Sequence, residues 1–132
     1  MRYFILGILF LCIACNGDGE TPVTEIPSRT SLLIGNWQLE ATKISPGGIV
    51  DWTTVSNGSL YTFKPDGTFS LSSTDNALSG SYSEEGNELS LRFVREGQSI
   101  RRTYFMNFVE GNLVLQYVGC IESCAERYRR VN

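Results

Sequence analysis

Residues 33–43 read LIGNWQLEATK, and the spacing inside this stretch decides the fold. After Gly35-Asn36-Trp37 the side chains alternate, with Trp37, Leu39 and Ala41 on one side and Gln38, Glu40 and Thr42 on the other. A two-residue period marks a half-buried β-strand, one face on a core and one in water. A glycine two residues ahead of a large indole lets the backbone approach whatever the ring packs against. The same period recurs downstream. Residues 59–64 (SLYTFK) and 68–71 (TFSL) flank Pro65-Asp66-Gly67. That turn has a mechanism: proline fixes φ, aspartate bonds its own backbone and glycine takes positive φ. Residues 78–83, 88–94, 99–109, 113–118 and 125–131 supply further strands between short, mostly glycine-containing turns. Residues 49–55 are ambiguous, extending a strand or lining a loop, before Asn57-Gly58 turns the chain.

The expected architecture is therefore all-β: eight antiparallel strands in sequence order, an up-and-down meander without helices between them. Such a meander buries its apolar face and removes its edges by closing into a barrel. The strands are mostly shorter than the roughly 9–11 residues of a lipid-spanning strand, so a soluble barrel is expected over a membrane barrel. Ahead of the first strand, Thr30-Ser31 before Leu32-Leu33-Ile34 predicts one helical turn that plugs an opening.

The N-terminus is a separate object. Arg2, an apolar run from Tyr3 to Leu11, and Cys12-Ile13-Ala14 lead into Cys15. This resembles the lipobox of bacterial lipoprotein signals, whose cysteine is acylated and becomes the first mature residue; Cys12 stands where that pattern favours leucine. An ordinary cleaved signal and an uncleaved anchor are the alternatives, although the run falls short of the ~20 residues of a comfortable span. Residues 1–14 are thus read as signal peptide, 15–30 as lipidated Cys15 with a flexible tether, and 31–132 as the barrel domain. The expected location is the bacterial cell envelope, lipid-anchored at the outer membrane and facing the periplasm or the surface. There a disulfide between Cys120 and Cys124, which bracket a tight turn, is expected to persist.

Gly35-Asn36-Trp37, YTFKPDGTF (61–69), GSYSEEGNELSL (80–91) and LVLQYVGCIESCAERYRRV (113–131) together resemble the small lipocalin-like lipoproteins of Gram-negative bacteria. The resemblance spans residues 32–132. It implies an antiparallel barrel that binds small apolar molecules inside. It also implies that Trp37 packs at the closed end against an arginine from near the last strand, with Arg127 and Arg129 as the candidates. The family transfers fold better than function.

The side chains expected to face inward are Trp37, Leu39, Tyr61, Phe63, Phe69, Leu71, Tyr82, Leu91, Phe93, Tyr104, Met106, Leu115 and Tyr117. Of these, Trp37, Tyr61, Phe63, Phe69, Tyr104 and Tyr117, with Arg102, are the candidate ligand-binding residues. An eight-stranded barrel has room for its own side chains or one small ligand, so a packed interior and a usable cavity both fit. Arg102 shares a face with Ile100, Tyr104, Met106 and Phe108. It is either a cation inside the barrel, paired or ready for a carboxylate, or a long stem reaching water.

Composition excludes other classes. A hydrophobic content of 42% suits a globular core, and a net charge of −3 argues against nucleic-acid binding. The absence of histidine removes the common triads, cysteine–histidine pairs and zinc sites that need nitrogen ligands. No enzyme, metal or cofactor is expected. The reading is a membrane-anchored binder of a small apolar or amphipathic ligand. The alternative is a filled barrel whose loops, residues 45–58 and 72–77, contact an unspecified protein or glycan, with Trp52 as the anchor.

Overall fold

Strand β1 (Gly35–Ser45) closes the molecule: it pairs with β3 (Leu60–Phe63) along one edge and with β9 (Ser123–Val131) along the other. The computed structural model describes residues 32–132, so the expected signal peptide, the expected lipidation at Cys15 and the expected tether fall outside the described residues. Between β3 and β9 run β4 (Thr68–Ser72), β5 (Ala77–Glu85), β6 (Glu88–Arg95), β7 (Gln98–Val109) and β8 (Asn112–Tyr117), each antiparallel to the next. The result is a closed eight-stranded meander in sequence order, as the periodicity predicts. The ambiguous segment supplies a ninth, two-residue strand, β2 (Thr53–Thr54), which continues the line of β3 along the same edge of β1. In the β3–β4 turn the Asp66 carboxylate accepts from the Thr68 backbone (2.9 Å) and hydroxyl (2.6 Å), which holds its pKa below the usual carboxylate range.

One irregularity in β1 changes the expected faces. Leu39 stands opposite Tyr128 but Ala41 opposite Arg127, so Glu40 is an extra residue, a β-bulge. The register keeps Trp37 and Leu39 on the lumen face and puts Ala41 on the outer one, where its neighbours leave it 1% exposed; past the bulge Thr42 and Ile44 take the lumen side, Ile44 at the rim and 67% exposed. The expectation that Ala41 shares a face with Trp37 is thereby corrected. The small Ala41 lies flanked by Arg127 and Thr54, and the Arg127 guanidinium sits 5.0 Å from the Trp52 ring. Glu40 bonds Arg127 at 2.6 Å outside the barrel.

The closed end is built on Trp37, which is 1% exposed. Leu32 and Leu33 are helical, as the capping signal predicts, and Leu33 is fully buried. The indole N–H donates to the Leu33 carbonyl at 2.7 Å. Arg130 lies 4.6 Å over the indole and donates to the carbonyls of Ile34 (3.1 Å) and Leu32. This corrects the candidates Arg127 and Arg129. The register sets Arg130 opposite Trp37, whereas Arg127 bonds Glu40 and Arg129 bonds Gln38. Gly35 makes the approach possible: at φ 135° a side chain is strained, and its Cβ would lie 2.9 Å from the Arg130 guanidinium.

Cys120 and Cys124 form a disulfide across the β8–β9 connection. Because the loop it closes is small, replacing both cysteines by serine is expected to cost only about 2 kcal/mol in urea denaturation. A loss near 5 kcal/mol would mean that the bridge holds more than its own loop.

Candidate functional site

At the end of the barrel opposite Trp37, strands β1, β7, β8 and β9 enclose a pocket of about 310 Å³. Ile44, Arg102, Tyr104, Tyr117, Cys124, Ala125 and Glu126 line it. Each arrives by a local rule. The Glu40 bulge turns Ile44 inward, and β7 alternation sets Arg102 and Tyr104 on one face. Tyr117 is paired with Tyr104, their ring centroids 5.8 Å apart. Glu126 stands opposite Leu115 and Thr42 and so points into the lumen. The disulfide holds Cys124 at the rim.

The polar groups of this mouth form one connected cluster. Tyr128 donates its hydroxyl proton to Glu126 at 2.7 Å. Burial pushes the phenols of Tyr61, Tyr104 and Tyr128 above their ordinary pKa, and the nearby Glu126 carboxylate adds to this in each case. The Arg102 guanidinium opposes the rise at Tyr61 and Tyr104. Among the described residues the one ion pair within 4.0 Å is Arg127–Glu40, on the outer wall. Arg102 and Glu126 therefore share the pocket without a salt bridge. Arg102 combines both sequence expectations: it lines the pocket, 5.7 Å from the Phe93 ring, and it also reaches water.

Beneath the mouth the lumen is filled. Tyr61 stacks on Phe63 at 5.3 Å and meets Tyr128 at 5.4 Å, while Phe63 meets Tyr82 edge-on at 5.2 Å. Of the candidate ligand-binding residues, Arg102, Tyr104 and Tyr117 are brought together at the pocket, with Tyr61 beneath them. Phe63 and Phe69 belong to the packed core, and Trp37 to the closed end. Tyr117 is 42% exposed, a rim residue and not an interior one. Sequence reasoning missed Ile44 and Glu126. The inward phase of β9 could have been suspected only from Tyr128, since its other residues are mostly polar on both faces.

No protein-family model matches this sequence, and no curated protein is similar to it. Solved structures share its shape, two of them as follows. A lipocalin-like protein from Bacteroides uniformis superposes with a TM-score of 0.58 at 22% identity, covering 76% of this chain and 99% of the other. An uncharacterized protein from Bacteroides eggerthii gives 0.57 at 16% identity, covering 75% and 99%. The likeness is one of fold, and the fold of this chain is a lipocalin-like barrel.

Proposed function

We propose that this domain is a non-catalytic binder of a small amphipathic molecule carrying an anionic group, tethered to the bacterial cell envelope through a lipid on Cys15. The observation that carries this reading is the mouth pocket, where the Arg102 guanidinium lies beside Ile44, Tyr104 and Tyr117 and makes no ion pair within 4.0 Å with the Glu126 carboxylate that shares the lining. A carboxylate or phosphate against Arg102 would gain a charge-assisted hydrogen bond, while the apolar part covers the aromatic wall. Because the rings below fill the lumen, the ligand is small and sits at the rim. The envelope address rests on the N-terminal signal and agrees with a disulfide, a bond that persists outside the cytoplasm.

Native mass spectrometry of the protein drawn from its own envelope tests this, with one co-purifying small molecule per chain expected. Titration with a panel of aliphatic and aromatic carboxylates should then show Arg102→Ala weakening the best binder about 10- to 100-fold, the worth of one charged hydrogen bond. The thermal midpoint should not move. A clean apo mass together with carboxylate affinities indifferent to Arg102 would sink the reading. That result would favour the filled-barrel interaction module, which the packed lower lumen supports. Its anchor would have to be sought elsewhere than Trp52, half-buried against Arg127.

A further inference from the structure

The barrel wall parts on the side away from the β1–β9 closure. Strands β5 and β6 pair from Glu85 and Glu88 only as far as Gly80 and Phe93. Beyond that point Ala77, Leu78 and Ser79 pair with β4 alone, and Val94 and Arg95 with β7 alone. The parting starts at a pinch: a Cβ on Gly80 would collide with the Arg92 carbonyl and lie 3.1 Å from the Phe69 ring. Past it the strands enclose an opening of about 470 Å³ between Leu78 and Ser79 on one side and Phe93 and Val94 on the other. Two strand edges thus face each other unpaired. An edge of this kind is a template for another strand, and proteins usually blunt it with charge, proline or a covering segment. Here the β5 edge is alanine, leucine and serine and carries no charge, the β6 edge is Val94 followed by Arg95 at its end, and the two residues flanking the opening, Leu78 and Phe93, are apolar.

A second observation concerns charge. Arg92 on β6 stands directly opposite Arg101 on β7, both on the outer face beside this opening. Like charges placed so are destabilising. Arg101 donates to the Ser90 hydroxyl at 3.0 Å, and among the described residues neither guanidinium has a carboxylate within 4.0 Å. Among the described residues, this pair of cations stands without a carboxylate partner next to a strand edge without a neighbour.

We propose that the β5–β6 opening takes up an extended acidic peptide, which adds a strand to the wall and sets its carboxylates against Arg92 and Arg101. Side chains of a strand alternate between faces, so a peptide alternating apolar and acidic residues places the former over Leu78 and Phe93 and the latter over the arginines. The free edge of three residues, Ala77 to Ser79, spans about 10 Å at ~3.3 Å per residue, enough to hold a short segment in register. This site is separate from the mouth pocket and stands whether or not that pocket binds a ligand.

The test uses the full chain in detergent with two labelled hexapeptides, one alternating valine with glutamate and one alternating valine with lysine. The acidic peptide is expected to bind about tenfold or more tighter at low salt, and to slow amide exchange at residues 77–79 and 94–95. Arg92→Gln with Arg101→Gln should abolish the preference without lowering the thermal midpoint, since it removes a like-charge pair. Equal affinity for both peptides, protection confined to the mouth loops, or no binding of the acidic peptide would each overturn the proposal. So would displacement by a sulfated hexasaccharide that itself leaves the edge amides exchanging freely, since the arginines would then serve a glycan.

Discussion

Replacing Trp37 by alanine is expected to remove about 3–5 kcal/mol of folding stability, the cost of emptying a fully buried large aromatic site. Native domains hold only about 5–15 kcal/mol in total, so the variant should be marginal at room temperature. The size of the loss follows from what the indole joins. One face carries Arg130, its edge meets Phe108 at 5.8 Å, and its N–H satisfies the carbonyl of the plug residue Leu33. Alanine leaves a void at the closed end and an unpaired carbonyl beneath it. Urea denaturation with an unchanged m-value measures the effect. A loss under ~1 kcal/mol would show that the plug, and not the indole, holds this end.

Arg130 is the necessary companion experiment. Its alanine variant loses the stack on Trp37 and the two bonds to Ile34 and Leu32, which fasten the segment preceding β1 to the last strand. Lysine keeps the charge but lacks the planar fork that serves two carbonyls at once, so it should rescue little. If the two residues act as one unit, the double variant will cost less than the sum of the singles by about 0.5–3 kcal/mol.

How much of this was legible from residues alone depends on how strict each strand's alternation is. The turn Pro65-Asp66-Gly67 and the alternating apolar residues of β6, β7 and β8 gave the meander directly, and β7 alternation placed Arg102 beside Tyr104. The bulge at Glu40 was invisible, because a single inserted residue leaves composition untouched while inverting the face of everything after it. Ile44 therefore became a pocket residue without any sequence signal. In β9 the arginines fall on both faces, so no hydrophobic period distinguishes Arg130 from Arg127 or Arg129. Pairing with β1 makes that choice, and such register is a property of two strands. Glu126 and Tyr128 were hidden for the same reason. The parting of β5 from β6 depends on how far their pairing extends, which the serine-rich start of β5 does not encode.

Alkaline unfolding is where the mouth cluster should show itself most strongly. Tyr61, Tyr104 and Tyr128 are buried, and burial first raises all three phenols above the ordinary value near 10; Glu126 adds to it next at Tyr104 and Tyr128, and after Tyr104 at Tyr61. Below pH ~10 both folded and unfolded chains keep these protons, so their contribution to stability is constant. Above it the unfolded chain releases them while the folded chain does not, and the proton-richer folded state loses stability as pH rises. A tyrosine that keeps its proton only in the folded chain contributes a slope of at most about 1.4 kcal/mol per pH unit, and the three act in the same direction. The domain should therefore lose stability progressively as pH rises above ~10, the phenolates of these three tyrosines forming in step with loss of the β signal. Tyr61→Phe should remove about a third of the slope, because phenylalanine keeps the ring packed and carries no proton. Tyr61, Tyr104 and Tyr128 ionising near pH 10 in a chain that stays folded, distinguished by NMR from the exposed Tyr117, would show that the mouth is open to water and the cluster is not the buried unit described here.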